Sequence, residues 1–106
     1  HKNLRSKKMI IKEILQQLKE STHPVAKALH KGQHFKVIAI GFKKGMVLKD
    51  HQALLPSKLT VLSGVVIYKE GEQEITLRQH DTADIPAKIT HNVAALEDSL
   101  CLLTQG

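Results

Sequence analysis

The feature that most constrains this chain is a change of hydrophobic period at Pro24. Before it, Ile10, Ile11, Ile14, Leu15 and Leu18 recur at helical spacing with charged and amide residues between them, which predicts an amphipathic helix over 9–20. Pro24 lacks a backbone donor and biases His23 away from helical geometry, so the helix must end there. Beyond that point the pattern is that of short strands punctuated by turn residues. Strands are expected at 25–30, 35–42, 46–49, 59–62, 65–69, 74–78, 82–85 and 100–104. Lys43-Lys44-Gly45, Ser63-Gly64 and Glu70-Gly71 supply turns, and the last two read as hairpin connections joining 59–78 into a meander. With no helical pattern between strands, the fold class is all-β, a sandwich or barrel preceded by one helix.

A chain of 106 residues has room for one hydrophobic core. Its 42% hydrophobic and 25% charged residues are those of a folded domain rather than a disordered segment. No apolar run approaches the roughly 18 residues of a spanning helix and no signal peptide opens the chain, so a membrane association is not expected and a cytoplasmic location is. Cys101 cannot pair within the chain, and its place in the apolar run 100–103 predicts a buried thiol.

The net charge of +6 invites a nucleic-acid reading that its distribution removes. Lys2, Arg5, Lys7 and Lys8 carry four of those charges in the first eight residues, leaving +2 for the remainder. Stacking platforms need aromatic side chains, and Phe35, Phe42 and Tyr68 all lie in or beside apolar strand patterns. Residues 1–8 are therefore read as a basic tail, either disordered or foreign to the native protein, with Met9 a suitable native start and 9–106 the domain.

The order of glycine turn, strand, histidine, hairpin glycine, proline and second histidine resembles the two-motif signature of the cupin superfamily over residues 35–104. Gly45, His51 and Gly64 fall on the first motif, G-x5-H-x-H-x3,4-E-x6-G, while Ala53 stands at its second histidine and Ser57, beside Lys58, at its glutamate. Pro86 and His91 fall on the second motif, G-x5-P-x-G-x2-H-x3-N, whose other places hold His80, Lys88 and Ala95. The resemblance implies a cupin-like jelly-roll barrel with a degenerate metal-ligand set. Cupins that hold a divalent transition metal use three histidines and a carboxylate, of which His51 and His91 remain, and neither alanine nor serine replaces the missing ligands.

The resemblance thus implies a small-molecule-binding domain marked by His51, His91 and Ser57, with a metal centre reduced to His51 and His91 or absent. The alternatives are a metal-dependent oxygenase or isomerase with an unusual ligand set, and a structural or regulatory dimer using the helix. A homodimer is expected on any of these readings, because open strand edges and an amphipathic helix leave apolar surface to cover. Lys58 and Lys88 are read as solvent-exposed, His80 as a surface turn residue, and Val61, Val65, Ile67, Ile75, Leu77 and Ile85 as barrel core. No nucleophile with an adjacent base is legible, which leaves enzymatic status open.

Overall fold

The computed structural model describes residues 8–106; the basic tail, apart from Lys8, lies outside the described residues. Helix α1 (Ile10–Leu18) is followed by nine strands: β1 (Val25–Lys31), β2 (Lys36–Phe42), β3 (Val47–His51), β4 (Ser57–Ser63), β5 (Val66–Glu70), β6 (Gln73–Leu77), β7 (Thr82–Ile85), β8 (His91–Ala95) and β9 (Ser99–Gln105). They form two antiparallel sheets, ordered β1-β2-β9-β4-β7 and β3-β8-β5-β6. The strand crossings between sheets are those of a jelly roll, a double-sheet design that limits exposed strand edges.

The two inner faces enclose a core of Ile40, Phe42, Leu59, Val61, Val66, Leu77, Ile85, Val93 and Cys101, with Tyr68 at its border. Strand β2 is buried on both faces, which is why its sequence reads as a continuous apolar run rather than an alternation. Ile40 and Phe42 belong to the core, whereas Gly41 faces α1. A Cβ at Gly41 would come within 2.7 Å of Ile14 Cγ2 and 3.3 Å of Leu18 Cδ2, so the missing side chain lets the helix lie directly on the strand. Ile14 and Leu18 are the buried members of the apolar stripe, which packs on the helix's own barrel.

Two expectations need correction. Residues 59–78 do not form a meander, because β4 and β5 belong to different sheets. Gly64, with φ of 90°, turns the chain across the barrel where any Cβ would collide with Ser99 and the Asp98 carbonyl. Of the two turns, Glu70-Gly71 alone makes a hairpin: Gly71 and Glu72 join β5 to β6, with Gly71 at a positive φ of 61°. Among the residues read as core, Ile75 is 50% exposed, and Ile67, alternating with the buried Val66 and Tyr68, is only half-buried and outside the core. Strand β8 escapes a sequence reading because its inward residues are His91, Val93 and Ala95, a set too mixed in polarity to show a strand alternation.

Candidate functional site

His51 ends β3 and His91 begins β8, and the two are direct cross-strand partners. Adjacent strands carry them, so the imidazoles lie side by side on one sheet, their ring centroids 4.1 Å apart and the planes inclined at 58°. A local irregularity makes this possible. Leu48 pairs with Val93 and His51 with His91, so three residue steps on β3 match two on β8. A regular strand would turn residues three apart to opposite faces; the extra residue in the Lys49–Asp50 bulge returns His51 to the face of Leu48. Asp50 is displaced outward, where its Oδ1 accepts a hydrogen bond from Asn92 Nδ2 at 2.7 Å.

Each imidazole is oriented in the same way. His51 Nδ1 lies 2.8 Å from the Lys49 carbonyl and His91 Nδ1 lies 3.0 Å from that of Ile89, in both cases two residues upstream. A carbonyl oxygen only accepts, so Nδ1 is the donor in both rings and each neutral ring keeps its lone pair on Nε2. His91 is 3% exposed. Burial lowers its pKa below the ordinary histidine value and His51 pushes the same way, against the Ile89 carbonyl, Glu70 and Asp50, which favour the charged form.

The pair begins a longer row. In the ladder registers His51 stands opposite His91, His91 opposite Glu70, and Glu70 opposite Gln73, crossing all four strands of the smaller sheet. One register step deeper lies Tyr68, whose ring centroid is 5.7 Å from that of His91 and whose hydroxyl donates to Glu70 Oε1 at 2.7 Å. Burial, followed by the hydrogen bond and charge of Glu70, raises the phenol above its ordinary pKa, so it stays a donor. Two adjoining cavities share Glu70, Gln73 and Glu74. One of about 410 Å³ lies between the β6 and β7 edges and is walled by Tyr68, Ile75, Ala83 and Pro86; the other, of about 690 Å³, is lined by Asp50, Ile89, Thr90 and His91.

Ser57 is elsewhere. It is buried at the start of β4 in the larger sheet, its hydroxyl donates to the Leu55 carbonyl at 3.2 Å, and it borders a separate cavity with Phe35, Pro56 and Gln105. Lys58 is exposed and pairs with Asp84 at 3.3 Å, and Lys88 occupies an exposed turn at φ 64°. His80 is likewise an exposed turn residue, at φ 73°. Glu70, Tyr68 and Gln73 neighbour the histidine pair on this sheet and are residues that sequence reasoning misses. The signal for them is the hairpin: once Gly71-Glu72 is taken as its two-residue loop, Glu70 and Gln73 become the closing pair and Tyr68 shares their face.

The resident metal of many cupins requires more ligands than this face supplies. The two Nε2 atoms suit a divalent ion, but among the described residues no group of three or more His, Cys, Asp or Glu side chains is arranged to hold one. The donor set does not fit a closed metal centre.

No protein-family model and no curated protein matches the chain. Solved structures do. The chain is similar to a cupin superfamily protein from Desulfitobacterium hafniense, with 18% identity and a TM-score of 0.75 over 79% of this chain and 77% of that one. An RmlC-like cupin from Desulfovibrio desulfuricans matches with 22% identity and a TM-score of 0.72 over 98% of this chain and 92% of that one. KdgF from Halomonas sp. matches with 21% identity and a TM-score of 0.72 over 79% and 80% of the two chains. Strand order, barrel and these likenesses agree, and the chain folds as a small cupin with a helix laid on its larger sheet.

Proposed function

We propose that this cupin binds a small molecule at the His51–His91 face, with the imidazoles acting as hydrogen-bond acceptors rather than as a resident metal centre. The observation carrying this reading is the shared orientation of the two rings. Both Nδ1–H groups are committed to backbone carbonyls, which fixes both Nε2 lone pairs as the free polar atoms. Beside them stand a carboxylate, an amide and a phenol over an apolar wall, the mixture of a few convergent polar groups and apolar lining that small-ligand sites use. Ser57 belongs to the ligand site on this reading only if the ligand reaches through the barrel. A cytoplasmic location is part of the same proposal and suits the single free cysteine.

The test is a thermal-shift screen of small sugars, carboxylic acids and amines against the wild type and a His51→Ala/His91→Ala variant, with metal analysis of the purified protein. A compound whose stabilisation vanishes in the variant supports the reading. Stoichiometric iron, manganese, nickel or zinc that the double variant lacks overturns it in favour of the second reading, a metal-dependent cupin enzyme. That second reading has one specific support: the same two Nε2 atoms are free to ligate, with water or substrate oxygens completing the shell.

A homodimer accompanies this proposal. Leu54, Leu55 and Ile89 are exposed near the open end of the barrel, in segments linked by the Lys88 N–H donating to the Ala53 carbonyl at 2.7 Å. A second copy covering these residues would remove apolar surface from water.

A further inference from the structure

We infer that the groove between α1 and the outer face of the larger sheet docks an acidic amphipathic segment of a partner protein. In an antiparallel sandwich the residues that alternate outward are ordinarily polar. Strand β9 departs from this pattern: Cys101 and Leu103 belong to the core, and the alternate residues Leu100 and Leu102 are apolar too. Leu100 stands opposite Gly41 and Leu102 opposite Ala39, which puts both leucines on the face where α1 lies. The helix packs on β1 and β2 and leaves Leu100 and Leu102 half-buried beside it. Leu15, next to the buried Ile14, is 45% exposed. With Leu18, Phe42 and Leu100 it lines a recess of about 290 Å³ at the edge of the helix.

The charges around the recess say what fits it. Residues three and four apart share a helix face, so Lys12 and Lys19 both flank Leu15. Glu13 lies on the opposite edge of α1, where it pairs with Lys27 of β1 at 3.4 Å. Lys43 continues the basic border at the end of the helix, its Nζ donating to the Lys19 carbonyl at 3.3 Å. Among the described residues, none of Lys12, Lys19 and Lys43 is paired with a carboxylate. Asp98, the one acid lining the recess, already accepts the Lys44 backbone N–H at 2.8 Å. Leucines bordered by unpaired ammonium groups are complementary to a segment with apolar side chains on one face and carboxylates beside them. A second copy of this chain would present the same lysines from the other side and meet like-charge repulsion. An anionic bilayer would satisfy the lysines, but its flat surface does not fill a recess beside a helix. The groove lies on the larger sheet and the His51–His91 face on the smaller, so the two surfaces can be tested apart. Leu54 and Leu55 precede β4, whereas Ser63 at its far end lines the groove.

Three helical peptides, each about four turns long, supply the test. One carries leucines along one face and glutamates elsewhere, the second has lysine in place of every glutamate, and the third is a scrambled version of the first. Each is titrated into the 15N-labelled full chain, with vesicles of phosphatidylglycerol and phosphatidylcholine titrated in parallel. The acidic amphipathic peptide is expected to shift the amides of Leu15, Lys19, Lys43 and Leu100. It should bind at least tenfold more tightly than the scrambled peptide and weaken as salt is raised. Lys12→Glu/Lys19→Glu, at two exposed positions, should abolish that binding and admit the lysine peptide. Leu15→Gln should weaken the acidic peptide at least fivefold, whereas Glu13→Gln on the other edge should leave it unchanged. Circular dichroism checks that each variant keeps its fold. Equal binding of the lysine peptide to the wild type, unchanged affinity in both groove variants, shifts confined to another surface, or no binding of the acidic peptide overturns the proposal. Vesicle binding that is tighter than the peptide's and lost in Lys12→Glu/Lys19→Glu assigns the face to a membrane instead. Dimerisation that Leu15→Gln abolishes assigns it to a second copy, and either result also overturns the proposal.

Discussion

Glu70 stands opposite His91 across the β5–β8 ladder, and the same carboxylate accepts the hydroxyl of Tyr68 at 2.7 Å. One acid thereby accepts from the buried phenol and acts through its charge on the buried imidazole, which makes the protonation of this face sensitive to each member.

The first consequence is a pH dependence of stability. Burial lowers the folded-state pKa of His91 below its unfolded value, so the unfolded chain binds this proton more readily. The contribution is fully present above the unfolded pKa and is lost as pH falls through the window between about 6.5 and the lower folded pKa. Melting temperatures at pH 7.5 and 5 should therefore differ, with the acid value lower, and His91→Gln should show a smaller difference. An NMR titration placing the His91 midpoint above that of a free histidine would contradict this.

The helix supplies a test of packing. Ile14 is fully buried against Gly41, and Ile14→Ala should cost about 2–5 kcal/mol by lost transfer energy and a residual cavity. Gly41→Val attacks the same contact by overpacking and should cost about 1–3 kcal/mol. Urea unfolding monitored by circular dichroism measures both. A cost below about 0.5 kcal/mol for each, within the range of surface substitutions, would mean that the helix is not docked.

Cys101 provides a probe of global opening. It is fully buried, and burial alone pushes its thiol pKa up to about 12, so almost no thiolate exists near neutral pH. Labelling by a disulfide reagent is expected to be slow in the native protein and to accelerate in urea in step with unfolding. Rapid native labelling would place the thiol at the surface.

These elements also show what the sequence can and cannot carry. The helix and eight of the nine strands are legible, because side-chain periodicity is a local property. Which strands pair is not: Ser63-Gly64 looks like a hairpin turn, yet its glycine lets the chain pass under Ser99, far along the sequence. The histidine pair is legible through spacing that resembles a family motif. The bulge at 49–50 that aims His51 is invisible, since a bulge is defined by its partner strand. Glu70 reads only as the start of a turn, and its place beside His91 depends on a register between strands that no local pattern encodes.

That bulge yields a further prediction. Deleting Asp50 should remove the extra residue and leave His51 two residues from Leu48, on the same face and still opposite His91. With that neighbour kept, the His91 pKa should stay lowered, because burial and His51 both still hold it down and Asp50, which opposes them, is gone. Nuclear magnetic resonance of the imidazole protons checks this directly: a His91 titration raised above that of the wild type in a folded deletion variant would show that His51 had left its side.

The last prediction concerns how the two histidines act together. Their rings are 4.1 Å apart and each presents Nε2, so one bound group can satisfy both. Removing either imidazole leaves the ligand with an unpaired polar atom in a partly buried site, and removing the second then takes away little more. The affinity losses of His51→Ala and His91→Ala for whichever compound the thermal-shift screen identifies should therefore sum to more than the loss of the double variant. The expected discrepancy is about 0.5–3 kcal/mol, the range for residues that share a partner. Calorimetric titration of the four proteins closes the cycle. Strict additivity would mean that the rings serve separate ligand groups, and no loss in any variant would remove both residues from the site.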